Sequence, residues 1–549
     1  MSRLKRIITV GTVALAAVVL AACSNQSSKN GESHQLSDKQ VLNLSTTSEV
    51  TSMDISKAAD SISLTQLYHT QEGLYRLGKK EKVENALATS TKVSSDGKTY
   101  TFTLRKNNKW NDGRPVTAKD FVYSWRRTVN PKTASSYAYL FDGVKNYGAI
   151  QKGTMNPDTL GIKAVGNDKL VVTLEKPVPY FKLLLAFPVF FPQEQSAVEK
   201  YGSKNGLSSE TTAYDGPFTM KNWTGTNDNW KLAKNSNYWD KKGVHLNAIN
   251  LEVVKDASTG LNLYQSGKLD STPLSGTQIP SLKNNPDMKT YVGGSTVYLQ
   301  FNQKKVDAFK NVKIRQALSL AINKESLAKN VLRNGSKAPL GFVSENFFQN
   351  PKTKTDFAKD AYVKDGVSYD LAKAKTLLKT GLKESGKSSL SFDLLTDNTD
   401  VDKTTAQYVQ SQLQKLPNVK VNIVDTTYKT RLARSTSGDF DMVLSSWGAD
   451  FADPINFLDL MQKGNSNNAG DFNDSTYNQL LDKAEGEDAN NKDARYTDLV
   501  NAEKQLMNQQ GLIPLYQPAT VEMWNQHVKG YIWNPAGMSR DWKSIYITK

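Results

Sequence analysis

Apolar positions recur at two spacings along this chain. In 98–105, Tyr100, Phe102 and Leu104 alternate with polar residues, which predicts a strand with one buried face. Thr117 is followed three residues later by Asp120, a variant of the capping box. Phe121, Trp125 and Val129 then come at four-residue steps, so a helix is expected from Thr117 onward. Segments 170–174 and 249–253 read as further strands. The clearest order runs from 368 to 446: helix 369–379, strand 390–395, helix 404–416, strand 419–424, a shorter helix around Thr430, and strand 440–445. This α-β-α-β-α-β succession argues for a parallel or mixed sheet covered by helices. Segment 496–509 predicts a last amphipathic helix and 511–516 a short extended strand. After residue 40 there is no internal repeat and no long low-complexity linker, which favours closely packed lobes over beads on a string.

The first forty residues follow another pattern. Arg3, Lys5 and Arg6 precede an apolar run, 7–20, too short to span a bilayer comfortably. The run ends Leu20-Ala21-Ala22-Cys23, which resembles the bacterial lipobox, in which this cysteine is lipidated and becomes the mature N-terminus. An ordinary cleaved signal with a chance cysteine is the alternative, but Cys23 is the only cysteine in 549 residues and stands where the motif needs it. Two or more acyl chains make a stable anchor. Residues 24–33 contain no apolar side chain and read as a flexible tether. The expected division is a lipoprotein signal at 1–22 and a tether at 23–40. Cleavage before Cys23 leaves 527 residues and a net charge of +13 in place of +16.

Composition removes several function classes. One cysteine excludes an internal disulfide and a cysteine-rich metal site. The four histidines, His34, His69, His245 and His527, are scattered, with no HExxH pair. No metal and no cofactor is expected. The excess of lysine is spread along the chain without a dense basic run, so solubility, or residence near an anionic envelope, explains it better than nucleic acid does. No GxSxG elbow is present. Gly381-Leu-Lys-Glu-Ser-Gly386-Lys387-Ser388 fits the phosphate-loop pattern, but a helix precedes it and a strand follows, the reverse of what a phosphate site needs. Gly381 is therefore expected to be a helix C-cap. Asp450 and Asp453 could pass for an acid–base pair; beside Pro454, a cap or a cation contact is the blander reading.

Several segments together resemble the extracellular solute-binding proteins of family 5, the large-ligand receptors of bacterial ABC importers that include oligopeptide- and dipeptide-binding proteins. The resemblance is carried by 48–54, by Glu72-Gly-Leu-Tyr75, and most specifically by 96–105 with Lys109-Trp110-Asn-Asp-Gly-Arg-Pro-Val-Thr-Ala-Lys-Asp120. Pro177-Val-Pro-Tyr-Phe181, Asn237-Tyr-Trp239 and Val312-Lys-Ile-Arg-Gln-Ala317 add to it. It implies an α/β fold of the two-lobed periplasmic-binding-protein type (type II, large cluster with an extra domain), closing on a ligand by a hinge motion. On this reading 41–72, 177–299 and 515–549 form a discontinuous first lobe, 73–176 an extra domain attached to it, and 300–514 the second lobe.

The resemblance also implies site residues. In Ser446-Trp447-Gly-Ala-Asp450, Asp450 takes the place of the aspartate that grips a peptide's α-ammonium; capping the following helix is its alternative role. Trp447 lines the cleft or packs in the core. Ala59 and Ser61, with Tyr298, Phe301 and Asn302, match segments that bind peptide backbone in the manner of an added β-strand. Tyr137 aligns with a cleft tyrosine, ordinary packing being the competitor. Leu444 stands where Gram-negative oligopeptide binders carry a basic residue that helps to hold the peptide C-terminus. That departure suggests longer peptides or a carboxylate held elsewhere.

The expected function is thus a non-enzymatic, monomeric receptor on the outer face of a Gram-positive-type cell membrane. It takes oligopeptides and passes them to ABC permease subunits, and it touches the membrane through its lipid alone. Receptors for dipeptides, signalling peptides, glycans or metal chelates on the same fold, and a surface peptidase, are the alternatives.

Overall fold

The computed structural model describes residues 35–549. Cys23, the expected signal and most of the expected tether lie outside them. Among the described residues no helix is long and apolar enough to cross a membrane.

The alternating stretch around Phe102 forms the strand Thr99–Leu104, whose Tyr100, Phe102 and Leu104 are buried. It pairs antiparallel with Ala88–Val93 and Lys169–Thr173, and Ile162–Val165 adds an edge. The helix Ala118–Val129 packs against this four-stranded sheet. Both halves of its capping box form: the Thr117 N–H donates to the Asp120 carboxylate at 2.7 Å, and the Thr117 hydroxyl accepts a backbone N–H. Its stripe of Phe121, Trp125 and Val129 is fully buried, and the Trp125 indole donates to the Phe190 carbonyl at 2.9 Å.

A seven-stranded sheet gathers distant parts of the chain. Val41–Thr46 lies parallel to Ala248–Val253, and the C-terminal strand Ala519–Trp524 sits between Ser271–Pro273 and Met288–Val292. A third, five-stranded sheet runs in the order Val419–Thr426, Leu390–Asp397, Met442–Gly448, Ser295–Phe301, Leu512–Tyr516. Its first three strands are parallel and its last two join antiparallel. The α-β-α-β-α-β segment therefore builds the parallel part of one mixed sheet, with Leu371–Glu384, Asp400–Leu413 and Tyr428–Ser437 as its helices.

The two large sheets define two lobes, and the chain crosses between their strands at Gly293-Gly294 and at Gln517-Pro518. The expected boundaries at 299/300 and 514/515 each fall inside a strand of the five-stranded sheet. Each crossing is only two residues long, and the division taken from the family resemblance placed the boundaries a few residues away from both. Glycine is required at 294: a Cβ there would lie 2.6 Å from the Phe347 ring.

Gly381 is not a C-cap. Its helix continues to Glu384, and the left-handed position that follows is Gly386, at φ +64°. At Gly381 the missing side chain allows close helix packing, since a Cβ would come 2.7 Å from Ile314. The phosphate-loop pattern is a helix end followed by the strand Leu390–Asp397.

The discontinuous lobe is closed by a buried ionic cluster. Arg76 Nη1 donates to Glu72 at 2.9 Å, its Nε donates to Asp541 at 2.9 Å, and its Nη2 donates to the Tyr68 carbonyl at 2.8 Å. Beside it His69 stacks on Trp542 and its Nε2 accepts the Trp542 N–H, while Nδ1 faces the Thr65 carbonyl at 2.7 Å. That arrangement needs the neutral ring, and burial lowers the His69 pKa to about 4. Breaking a buried pair leaves a bare charge and typically costs about 3–5 kcal/mol. Arg76→Met is accordingly expected to lower the urea midpoint by a loss of that order, with Glu72 and Asp541 left unpaired; a midpoint within error of the wild type contradicts the role given to Arg76.

Candidate functional site

The segment after Met442–Gly448 turns back toward the first lobe and, with residues 136–147 and 176–184, encloses a cavity of about 890 Å³. Ala59, Tyr137, Trp447 and Asp450 all line it. One amide holds two of them in place. Asn456 Oδ1 accepts from the Trp447 indole at 3.1 Å and from the Asp450 backbone N–H at 3.0 Å.

The Asp450 carboxylate accepts from the Tyr139 hydroxyl at 2.7 Å across the cleft. Tyr139 in turn stacks on Tyr137 with centroids 6.1 Å apart. Among the described residues no lysine, arginine or histidine pairs with Asp450. It caps no helix either. The turn Ile455–Leu458 begins after Pro454, and it is Asp453 that accepts the Ile455 N–H at 3.0 Å and is gripped by Arg495 at 2.8 and 2.9 Å. Asp453 is therefore a structural carboxylate, and the acid–base pair with Asp450 does not form. Burial drives the Asp450 pKa up to about 6, against the opposing hydrogen bond from Tyr139. The cavity thus presents a carboxylate that burial has made costly to ionise and that no protein cation relieves.

The other expected residues lie elsewhere. Ser61 is exposed at the start of the helix Ser61–Thr70 and is not in the cavity wall. Tyr298 is buried against Phe342, and Phe301 sits in the second-lobe core edge-on to Phe309. Asn302 Nδ2 donates to the Gly438 and Phe440 carbonyls, which fixes a turn. The strand Ser295–Phe301 is interior to its sheet, paired with Met442–Gly448 on one side and Leu512–Tyr516 on the other. From Val297 on, neither edge is open to an added peptide strand. Leu444 also faces the core, so its position offers nothing to a ligand carboxylate.

Sequence reasoning missed Tyr139, Tyr180, Asn456 and Asp459, which also line the cavity. Tyr180 stacks on Phe451 with centroids 4.5 Å apart, and its hydroxyl donates to Glu485 at 3.1 Å. The Tyr137-Ala-Tyr139 repeat was the available signal for the first; the three-residue spacing of Asn456 and Asp459, which puts them on one helical face, was the signal for that pair. Among the described residues no group of three or more His, Cys, Asp or Glu is placed to hold a metal ion.

Two lobes joined by two short crossings, with a cavity between them, define a solute-binding architecture. The family model of the bacterial extracellular solute-binding proteins, family 5, matches residues 82–469, and the chain belongs to that family. It is 38% identical over 558 residues to a dipeptide-binding protein of Lactococcus lactis, covering 99% of each chain. It is 32% identical over 529 residues to the oligopeptide-binding protein OppA of Bacillus subtilis, covering 94% of each. Among solved structures, Listeria monocytogenes OppA bound to peptide matches with 39% identity and a TM-score of 0.80, over 93% of this chain and 100% of that one. The pheromone receptor PrgZ matches with 36% identity and a TM-score of 0.80, over 93% and 100%.

A carboxyl pKa raised on folding means that the folded chain holds more protons than the unfolded one between about pH 4 and pH 6. Stability therefore falls as pH rises through that window and stays reduced above it. Removing the charge removes the cost. Ligand-free Asp450→Asn is expected to be more stable than the wild type at pH 7.5 by about 1–3 kcal/mol, with the difference vanishing near pH 4, as read from melts at the two pH values.

Proposed function

We propose that this chain is a lipid-anchored extracellular receptor that captures oligopeptides and delivers them to the permease subunits of an ABC importer. The observation that carries the reading is Asp450: a largely buried carboxylate in an interlobe cavity, its backbone N–H fixed by Asn456, its side chain accepting from Tyr139, and lacking a cation. A peptide's α-ammonium is a compact cation with three donors, and it can relieve this carboxylate without displacing either support. The tyrosine-rich wall, Tyr137, Tyr139, Tyr147, Tyr180 and Tyr428, offers broad apolar faces with polar tips, which suits ligands of varied side chains. The relatives named as oligopeptide, dipeptide and pheromone receptors support peptide as the ligand class. Rotation about Gly293-Gly294 and Gln517-Pro518 opens and closes the cavity. The receptor acts as a monomer, without a cofactor or nucleic acid. It is held at the outer face of a Gram-positive-type cell membrane through Cys23, and it releases its ligand unaltered.

Calorimetry tests the site. Asp450→Asn is expected to weaken peptides with a free N-terminus by about 2 kcal/mol or more, a loss of roughly thirtyfold, and to leave already poor N-acetylated peptides little changed. Equal affinities of wild type and variant for an unmodified peptide would sink the role of Asp450. A shorter ligand is the second reading, favoured by the 38% identity to a dipeptide-binding protein. Native mass spectrometry of protein purified from peptide-rich medium separates the two: several peptide lengths support the oligopeptide reading, dipeptide masses alone support the second, and a single sugar or chelate mass refutes both.

The anchor is tested separately. Cys23→Ala is expected to move the protein from the membrane fraction to the medium despite its positive charge, and continued retention would show that lipid is not what holds it.

A further inference from the structure

A second carboxylate stands in the wall of the same cavity. Asp459 lies three residues past Asn456, one helical step beyond the turn Ile455–Leu458, so the two face the cavity from one side. Its neighbours Leu458, Leu460 and Met461 are buried, which fixes the direction of that face. Among the described residues Asp459 forms no ion pair, and no side chain donates a hydrogen bond to its carboxylate.

The nearby cations are already engaged. Arg495 holds Asp453 through two nitrogens and reaches Glu485 at 2.9 Å. Lys176 faces Glu485 at 4.0 Å from the cavity rim. Asp142 adds a further carboxylate to the lining, and the groups that remain, Tyr137, Tyr139, Tyr147, Tyr180 and Tyr428, are phenols. Burial, reinforced by Glu485, Asp450 and Asp453, pushes the Asp459 carboxyl up to about 7. Asp450 and Asp459 share this cavity and, among the described residues, neither pairs with a cation, which leaves room for two positive charges, and a peptide's α-ammonium supplies one.

We propose that Asp459 is a specificity-determining residue that receives a lysine or arginine side chain near the amino end of the bound peptide, so that the receptor selects peptides carrying a basic residue there. The inference rests on the peptide-receptor reading above. Its competitor is a protonated Asp459 that donates a hydrogen bond to a peptide carbonyl and is indifferent to side-chain charge.

Calorimetry at about pH 8, where Asp459 is ionised, distinguishes them. The probes are peptides of equal length carrying lysine or norleucine at residue 1, and a second pair varied at residue 2. In the wild type at least one lysine peptide is expected to bind about tenfold or more tightly than its norleucine partner. Asp459→Asn is expected to bind the norleucine peptides within about twofold of the wild type and to lose the preference. Equal affinities in the wild type at both positions, or a preference that survives Asp459→Asn, overturns the proposal while leaving peptide binding intact. If no peptide binds the wild type, both readings fail together. A readout that needs no variant is the lysine-to-norleucine affinity ratio in the wild type at about pH 5.5. Both peptides share the α-ammonium, so Asp450 cancels from that ratio. It is expected to fall toward one as Asp459 takes up a proton, and a ratio unchanged from pH 8 contradicts the assignment.

Discussion

The guanidinium of Arg76 joins parts of the chain that lie more than 460 residues apart: Tyr68 and Glu72 near the start, and Asp541 near the end. A lobe built from discontinuous segments gains from such a fastening, because its first strand, Val41–Thr46, and its C-terminal strand, Ala519–Trp524, do not pair with each other but on opposite sides of Ser271–Pro273. The closure entropy of so long a loop grows slowly with length, so one well-placed cluster can offset it. A buried ion pair adds little net stability over a hydrophobic contact of the same shape, but it tolerates only one partner geometry. His69 stacked on Trp542 and the Tyr238 hydroxyl on Glu72 reinforce the same junction. Tyr137, Tyr139 and Tyr180 project toward the cavity from segments that pack on this lobe.

On the opposite side a second arginine sets the electrostatics. Arg495 compensates Asp453 and Glu485, and Asp450 and Asp459 are left without a cation. Asp453, adjacent in sequence, is structural because it is paired; Asp450 is available because it is not. Ionising both Asp450 and Asp459 is therefore unfavourable for the chain alone, and a cationic group placed beside them would relieve it. The Tyr139 hydroxyl reaches Asp450 from the other side of the cavity, so the contact that orients the carboxylate also spans the cleft.

Local pattern was legible wherever local physics decides. The alternation at Tyr100, Phe102 and Leu104, the Thr117/Asp120 box and the helix–strand order of 368–446 all appear, because periodicity and capping depend on neighbours in sequence. Trp447 and Asp450 were legible through the family's motif. Phe301 and Asn302 were not correctly placed, since a strand's sequence does not say whether its edges are already paired. Gly381 was read as a helix end because glycine usually marks one; its actual reason, the approach of Ile314, comes from another helix. Sequence does not favour Tyr139 over Tyr137, because which tyrosine meets Asp450 depends on how the segment 136–147 sits against the second lobe.

By itself, then, the sequence determined the local elements and the family, and it singled out Cys23 and Asp450 as candidates. Those follow from short-range sterics, hydrophobic period and an ordered motif. Tertiary structure alone decided where the lobes divide, which strands are saturated, and which of the clustered acids keep a partner. The energy of a buried charge is set by the cations within a few ångströms, and in this chain those come from residues dozens to hundreds of positions away.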